Sequence, residues 1–590
     1  MRDTVSHHLA QAAAQTPDET AFTFVDFGSD RHGVASSLTW RELEHRVRTL
    51  AAALRHAGAA VNERVAVVAP QNLDYVVGFL AATCAGAIAV PLFPPGLPGH
   101  MEKLATVLAD ADPVLALTSP ASLQAVEKFC ADQDGLRVRV VTEQDLLSGA
   151  APGGVPTGAE TFHPQPGDCA YLQYTSGSTR VPSGVEITHA NVCANARQAL
   201  EAYDIRTGRN CTVGWLPLYH DMGLVLAIVL PVVGHVHSVL MDPLAFVQQP
   251  VRWLRLLTRH PGALTAAPNF AYDYCARRVT DEERAELSLG SVAAMVNGSE
   301  PIAEQTLRRF QQVFAPVGAV RTAMRPSYGL AEATVFVSAS PAGEEPTVTC
   351  FDRDALAAGT ARVVETTEAR AVTRLVGCGR PTGQEAAIVD PVTHVRLEDG
   401  NVGEIWLRGP NVGRGYWGRP EQSDTTFGAT LHGDDPGDGT HRWLRTGDLG
   451  LCHDKQLYIT GRIKDLVIID GTNHYPQDIE QTVESAHPAI RRHHTAAFSV
   501  LTDDGERLVV VAEHARDLAE PHRVRDEATR AVRAAVSAGH AVAVHDFILA
   551  QPGTVPHTTS GKVARGTCRE HYLRGAWSSD TQAQRETGNA

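Results

Sequence analysis

The feature that most constrains the fold of this chain is the alternation of helical and strand-like apolar patterns from its beginning. The spacing predicts a helix over 40–57, a strand over 64–69, a helix over 75–86 and a strand over 87–92. A strand that returns after a covering helix is laid down parallel to its predecessor, so this rhythm implies parallel sheet with helices packed on it. It recurs at 114–118, 138–141 and 212–216, with no fixed-period repeat. Residues 1–17 form a short amphipathic helix and lack the uninterrupted apolar centre of a signal peptide. At 590 residues the chain exceeds what one compact core accommodates, so two or more domains are expected. Tracts rich in Gly, Pro and Asp at 149–158 and 433–439 read as loops, and from Lys464 onward the chain has the character of a separate small α/β unit.

Composition narrows the class. Hydrophobic residues at 43% and charged residues at 20% describe a soluble globular enzyme, and a formal net charge of −15 argues against a nucleic-acid binder, which needs a basic face. A cytoplasmic location fits. The longest apolar run, near 223–233, is about half of what a bilayer core requires, so no membrane insertion is expected. The ten cysteines include no C-x-x-C pair, which points to reduced thiols rather than a disulfide framework or a zinc site.

The chemistry begins at Tyr171-Leu-Gln-Tyr-Thr-Ser-Gly-Ser-Thr-Arg-Val-Pro-Ser-Gly184. Here glycines and small hydroxyl residues follow directly on an apolar strand. Glycine lets backbone N–H groups converge on an anion, and Ser and Thr hydroxyls add donors for phosphate oxygens, with ATP as the natural ligand. It is not a Walker loop. No G-x-x-x-x-G-K-[ST] occurs, and Gly561-Lys562 is followed by Val563 with Pro556 where the first Gly would stand.

This stretch resembles the phosphate loop of the adenylate-forming superfamily, which includes acyl-CoA synthetases, luciferases, peptide-synthetase adenylation domains and fatty acyl-AMP ligases. Most members carry a Gly where this chain has Arg180 and a Lys where it has Ser183; the Thr-Arg-x-Pro form is typical of fatty acyl-AMP ligases. The resemblance implies nucleotide contacts from Thr175, Ser176, Gly177, Ser178 and Thr179. Further segments match in the same order. In Trp215-Leu-Pro-Leu-Tyr-His-Asp-Met-Gly-Leu224 it makes His220 the gate at the carboxylate, while Met222, Gly223, Leu224 and the more distant Phe270 become acyl-pocket residues. Asp221 is open between orienting His220 and pairing with a substrate amino group. Asn297-Gly-Ser-Glu-Pro301, that is Asn297, Gly298, Ser299 and Glu300 after a strand over 291–296, corresponds to the adenine turn. Tyr328-Gly-Leu-Ala-Glu-Ala-Thr334 supplies Tyr328 and Gly329 at the base and Glu332 as the Mg²⁺ ligand, one carboxylate plus phosphate oxygens being adequate for that hard cation. Asp448 of Thr446-Gly-Asp448 would accept from the ribose hydroxyls, Arg462 would face the nucleotide, and Lys464 would lie at the interdomain hinge. Lys562, in Pro556-His-Thr-Thr-Ser-Gly-Lys562, corresponds to the lysine delivered to the carboxylate and α-phosphate.

Two details favour fatty acyl-AMP ligases within the superfamily. The Gly471-Thr-Asn-His-Tyr-Pro476 form is theirs, and the stretch from Gly329 to Gly377 is long, with extra material at about 342–373 where those enzymes carry an insertion thought to hinder rotation of the C-terminal domain. The expectations are therefore an α/β fold. Residues 1–461 form a large multi-subdomain adenylate-forming domain with parallel sheets, and 464–590 form a small mobile α/β lid bearing Lys562. The implied reaction converts a fatty acid and MgATP to acyl-AMP and pyrophosphate, then passes the acyl group to the phosphopantetheine thiol of an acyl carrier protein. No G-x-S-x-G nucleophile elbow occurs, in keeping with the absence of a covalent enzyme intermediate. A synthetase using free CoA, an amino-acid-activating enzyme and a non-catalytic scaffold are the alternatives.

Overall fold

In the computed structural model the described residues are 3–96, 100–148, 162–175, 182–365, 372–434, 442–469, 472–502, 505–516, 518, 521–558 and 561–577. The tract at 149–158 and most of 433–439 lie outside them, as do Ser176, Gly177, Ser178 and Thr179.

The helix Leu73–Cys84 starts where the Asn72 side chain accepts a hydrogen bond from Tyr75 N at 3.0 Å. Its residues are buried almost all the way round, as a helix clamped between two layers must be. One layer is a six-stranded sheet in the order Arg139–Thr142, Leu115–Thr118, Arg64–Val68, Ile88–Leu92, Cys169–Tyr174 and Gly184–Thr188, parallel except for the last pair. In Arg64–Val68 the alternate residues Val65 and Val67 enter one core while Ala66 and Val68 enter another, so both faces of this sheet are covered. The second layer is a nine-stranded sheet whose centre is the parallel series Thr20–Asp26, His237–Met241, Cys211–Gly214, Ala263–Pro268, Ala294–Gly298 and Met324–Tyr328.

The anticipated elements stand where the periodicity put them, with ends displaced by a few residues. The strand expected at 291–296 is Ala294–Gly298, because Val292 is held in a turn by its N–H bond to Leu289 O at 3.2 Å.

A four-stranded antiparallel sheet follows, in the order Glu385–Val389, Gly403–Arg408, Leu444–His453 and Gln456–Arg462. Beyond the turn Ile463–Asp465 the chain builds a three-stranded sheet from Ile490–Thr502, Gly505–His514 and Val544–Ala550, backed by the helices Pro476–Ala486 and Pro521–His540. The described part of 342–373 begins the antiparallel pair Val348–Asp352 and Val372–Val376, with the helix Arg353–Ala357 between. This segment grips the C-terminal unit. The Arg353 guanidinium donates to Gly539 O, Thr373 Oγ1 donates to Asp478 Oδ2 at 3.3 Å, and Asn473 Nδ2 donates to Ala357 O at 3.3 Å. Among the described residues no helix is long and apolar enough to cross a membrane.

Candidate active site

A large cavity lies at the carboxyl ends of the parallel strands, where ligands of open α/β sheets bind, and the C-terminal unit closes it. His220, Glu332, Asp448, Arg462 and Lys562, which are far apart in the chain, all line it.

One wall of the cavity is built on antiparallel register. Asp448 on Leu444–His453 stands opposite Arg462 on Gln456–Arg462, and Arg462 Nε donates to Asp448 Oδ1 at 2.7 Å. The other carboxylate oxygen accepts from Tyr328 Oη at 2.7 Å, so Asp448, only 4% exposed, is held from both sides. Asp448 beside it pushes Arg462 upward against the effect of burial, while burial and the Asp448 charge drive the Tyr328 phenol well above its ordinary value. Gly329 tolerates no side chain, because a Cβ there would lie 1.6 Å from Val335 O. This close packing turns the chain into Ala331–Ala333, which presents Glu332. Glu332 Oε1 accepts from Tyr416 Oη at 2.9 Å, and burial raises its carboxyl above the usual range. A carboxylate disfavoured by desolvation, with acceptor capacity left, suits a hard divalent cation.

Elsewhere on the cavity wall, His220 caps the short helix Asp221–Leu224. Its Nδ1 lies 2.7 Å from Asp221 Oδ1, which also accepts from Met222 N at 2.7 Å. Burial works against ionised Asp221, but the His220 ring, their hydrogen bond and the Lys562 charge outweigh it and hold the carboxyl below its ordinary range. Two glutamines steady the loop: Gln173 Nε2 donates to Tyr219 O and Gln71 Oε1 accepts from Leu218 N, each at 3.1 Å. Next to Lys562, Gly561 N donates to Thr558 O at 2.9 Å. Burial and Arg462 pull the Lys562 ammonium down, opposed by Asp221, Glu300 and Asp448.

Several expected contacts fall elsewhere. Met222 at 6% and Leu224 at 0% exposure are packed into the core and do not line the cavity, and a Cβ on Gly223 would meet Pro217 O at 2.2 Å, so Gly223 serves backbone packing. Asn297 is fully buried, donating to Asn269 Oδ1 at 3.3 Å, and Gly298 packs against Ser327 O; neither lines the cavity. Of that turn, Ser299, with φ +70°, and Glu300 do, although Glu300 Oε1 is engaged by Phe270 N at 2.6 Å. Phe270 is on the cavity wall beneath Gly561. Lys464 lies in the turn after the last strand of the four-stranded sheet, also on the wall. Thr175 directly follows the strand Cys169–Tyr174, its N–H donating to Ser183 O at 3.3 Å. Tyr416 was not singled out from the sequence, and nothing in its local pattern signals its reach to Glu332.

Comparison with known proteins places these observations. Residues 9–417 match the AMP-binding enzyme family, and 464–582 match the AMP domain of Disco-interacting protein 2-like proteins. The chain is 44% identical over 572 residues to the long-chain-fatty-acid--AMP ligase FadD26 of Mycobacterium bovis, covering 96% of each chain. A solved structure from studies of fatty acyl-adenylate ligases of E. coli and L. pneumophila superposes with a TM-score of 0.86 at 31% identity, over 97% of this chain and 98% of that one. The L. pneumophila fatty acyl-adenylate ligase in complex with acyl adenylate and pyrophosphate gives 0.73 at 30% identity, over 97% and 96%.

Proposed function

Since the chain belongs to the fatty acyl-AMP ligases of the AMP-binding, adenylate-forming enzymes, we propose that it activates a long-chain fatty acid with MgATP and hands the acyl group to a phosphopantetheine thiol on a carrier protein. The observation that carries this reading is the convergence of Lys562, from the C-terminal unit, with His220, Glu332, Asp448 and Arg462 on one cavity.

In the first step a carboxylate oxygen of the acid attacks the α-phosphorus, and the bond to pyrophosphate breaks. Lys562 supplies fixed positive charge where negative charge develops, and its partial desolvation strengthens that effect. Asp448 is placed to accept from the ribose hydroxyls, with Tyr328 and Arg462 holding it still. Glu332 would hold Mg²⁺, which neutralises phosphate oxygens when bound. His220, steadied by Asp221, faces the acid. In the second step the thiol sulfur bonds to the acyl carbon, the carbon–oxygen bond to phosphate breaks and AMP leaves, while the thiol proton passes to solvent. The Asp221 carboxylate is already committed to His220 and Met222 N–H, which favours its orienting role over recognition of an amino group. The segment 342–373, bonded to the C-terminal unit, opposes the rotation that free CoA would require.

Mass spectrometry of reactions with MgATP and a panel of fatty acids tests this, offering CoA and a phosphopantetheinylated carrier separately. Acyl-AMP that persists with CoA and loads the carrier is the expected result; efficient acyl-CoA synthesis or no adenylate from any acid would overturn it.

A further inference from the structure

The helix Asn269–Arg278 belongs to the large domain, yet it carries two contacts with the C-terminal unit on one face. Phe270 and Asp273 are three residues apart and so lie on the same side of the helix. Gly561, with φ +83°, sits over the Phe270 ring, at a position where a Cβ would be 3.5 Å away. One turn on, His493 Nε2 is 3.2 Å from Asp273 Oδ2.

Asp273 is built as a receptor. Its side chain is 4% exposed, and it is gripped within the large domain by Arg277 Nε at 2.6 Å and by the Arg309 guanidinium from the neighbouring helix Glu304–Phe314. Burial opposes its charge, but His493 and Arg277 hold its carboxyl well below the usual range. The partner group is shaped for insertion. The register between Ile490–Thr502 and Gly505–His514 breaks between Ile490 and Thr495, and His493 adopts φ +61°, which swings its ring out of the strand. Its N–H is fixed by Glu484 Oε1 at 2.7 Å. Its carbonyl oxygen is 3.3 Å from Nε2 of His557, in the same loop as Lys562.

We infer that Asp273 and His493 are positioning residues for acyl-adenylate formation, forming the docking contact that seats the Lys562 loop over the cavity. The contact acts through Lys562: both residues are on the wall of the same cavity, but their hydrogen bonds and ion pairs go to each other, to Arg277, Arg309 and Glu484 and to the His557 loop, and to none of His220, Glu332, Asp448 or Arg462. This rests on the adenylation reading above, so one readout must be independent of it.

His493→Asn retains a residue that tolerates the left-handed backbone but is too short to reach Asp273. With the full chain, MgATP and dodecanoate, kcat for pyrophosphate release should fall about tenfold or more while KM for ATP and acid stay within twofold. In a Lys562→Ala background the same substitution should cost less than twofold. Asp273→Asn should behave likewise. Independently of activity, amide hydrogen exchange at 557–558 and 562–564 should accelerate in His493→Asn. Unchanged exchange, wild-type kcat, or an undiminished loss in the Lys562→Ala background would overturn the inference; accelerated exchange in a protein that activates no acid would instead sink the adenylation reading alone.

Discussion

Arg353→Ala should turn the protein toward free CoA. Arg353 sits in the 342–373 segment, donates from Nη2 to Val372 O at 2.9 Å and from Nε to Thr373 Oγ1 at 3.3 Å, and reaches across to Gly539 O in the helix Pro521–His540. It also offsets part of the desolvation of Asp478, whose carboxyl burial raises to about 6. A hydrogen bond to a charged donor contributes about 1.5–3 kcal/mol, so its loss should move the balance between seated and released C-terminal unit by roughly 10- to 150-fold. Arg353 is on the wall of the same cavity, but its hydrogen bonds go to Thr373, Gly539 and Val372 and not to Lys562, Glu332 or Asp448, so acyl-AMP formation should stay within twofold. The assay is mass spectrometry of dodecanoyl-CoA formed from dodecanoate, MgATP and CoA, beside pyrophosphate release. Acyl-CoA should appear in the variant and be absent from the parent. A variant that still makes acyl-AMP, shows faster hydrogen exchange around Gly539 and yet forms no acyl-CoA would refute the tether.

The Asp478 carboxyl also sets a pH dependence. Its folded value of about 6 is above the ordinary 3.8, so the folded state binds the proton more tightly and stability declines as pH rises from about 4 to 6; Asp478→Asn should remove that decline in thermal midpoints measured across the window. Asp221→Asn keeps an acceptor for His220 Nδ1 but loses the charge, an effect of about 1 kcal/mol, so dodecanoate adenylation should fall about fivefold. Asp221→Ala should cost more, whereas loss of activity on an amino acid with dodecanoate adenylation spared in Asp221→Asn would restore the amine-pairing role. Gly329→Ala should destabilise by about 3 kcal/mol or more, since a Cβ 1.6 Å from Val335 O displaces backbone; a wild-type thermal midpoint would contradict the close packing.

The parts of this molecule legible in the sequence are those governed by short-range rules. Continuous apolar strands separated by amphipathic helices announced a sheet covered on both faces, and Val65 to Val68 fill two cores as that requires. Asp448 and Arg462 were readable as a pair of site residues, and the hairpin register places them face to face. Side-chain direction was not readable. Met222 and Leu224 lie within four residues of His220, but the tight packing at Gly223 turns them into the core. Asn297 looked like a ligand and is a strut for Asn269, because it falls inside the strand rather than in the turn after it. The Asp273–Arg277 spacing is visible as a helical pair, whereas His493 joins it only through tertiary docking across a separation of 220 residues.

How the apolar residues are distributed explains why such a docking contact matters. Among the described residues, the two main clusters of the large domain include nothing beyond Phe427, and the two clusters of the C-terminal unit begin at Val467. The two bodies therefore share little hydrophobic surface at the cavity, and apart from the Phe270 ring under Gly561 the contact described there is polar, as between domains that separate at modest cost. One cluster crosses the boundary: Phe351 and Leu356 of the 342–373 segment pack with Leu449, Leu451, Tyr458 and Tyr475, and Leu466 joins them. That segment supplies the apolar anchor the rest of the boundary lacks. A polar clasp at His493 can open once the adenylate has formed, while an apolar and charge-assisted tether at Phe351 and Arg353 limits how far the C-terminal unit then travels. On the function proposed above, Lys562 would withdraw for the thiol to enter without the larger rotation, which would let a thiol presented by a carrier react and refuse a free one.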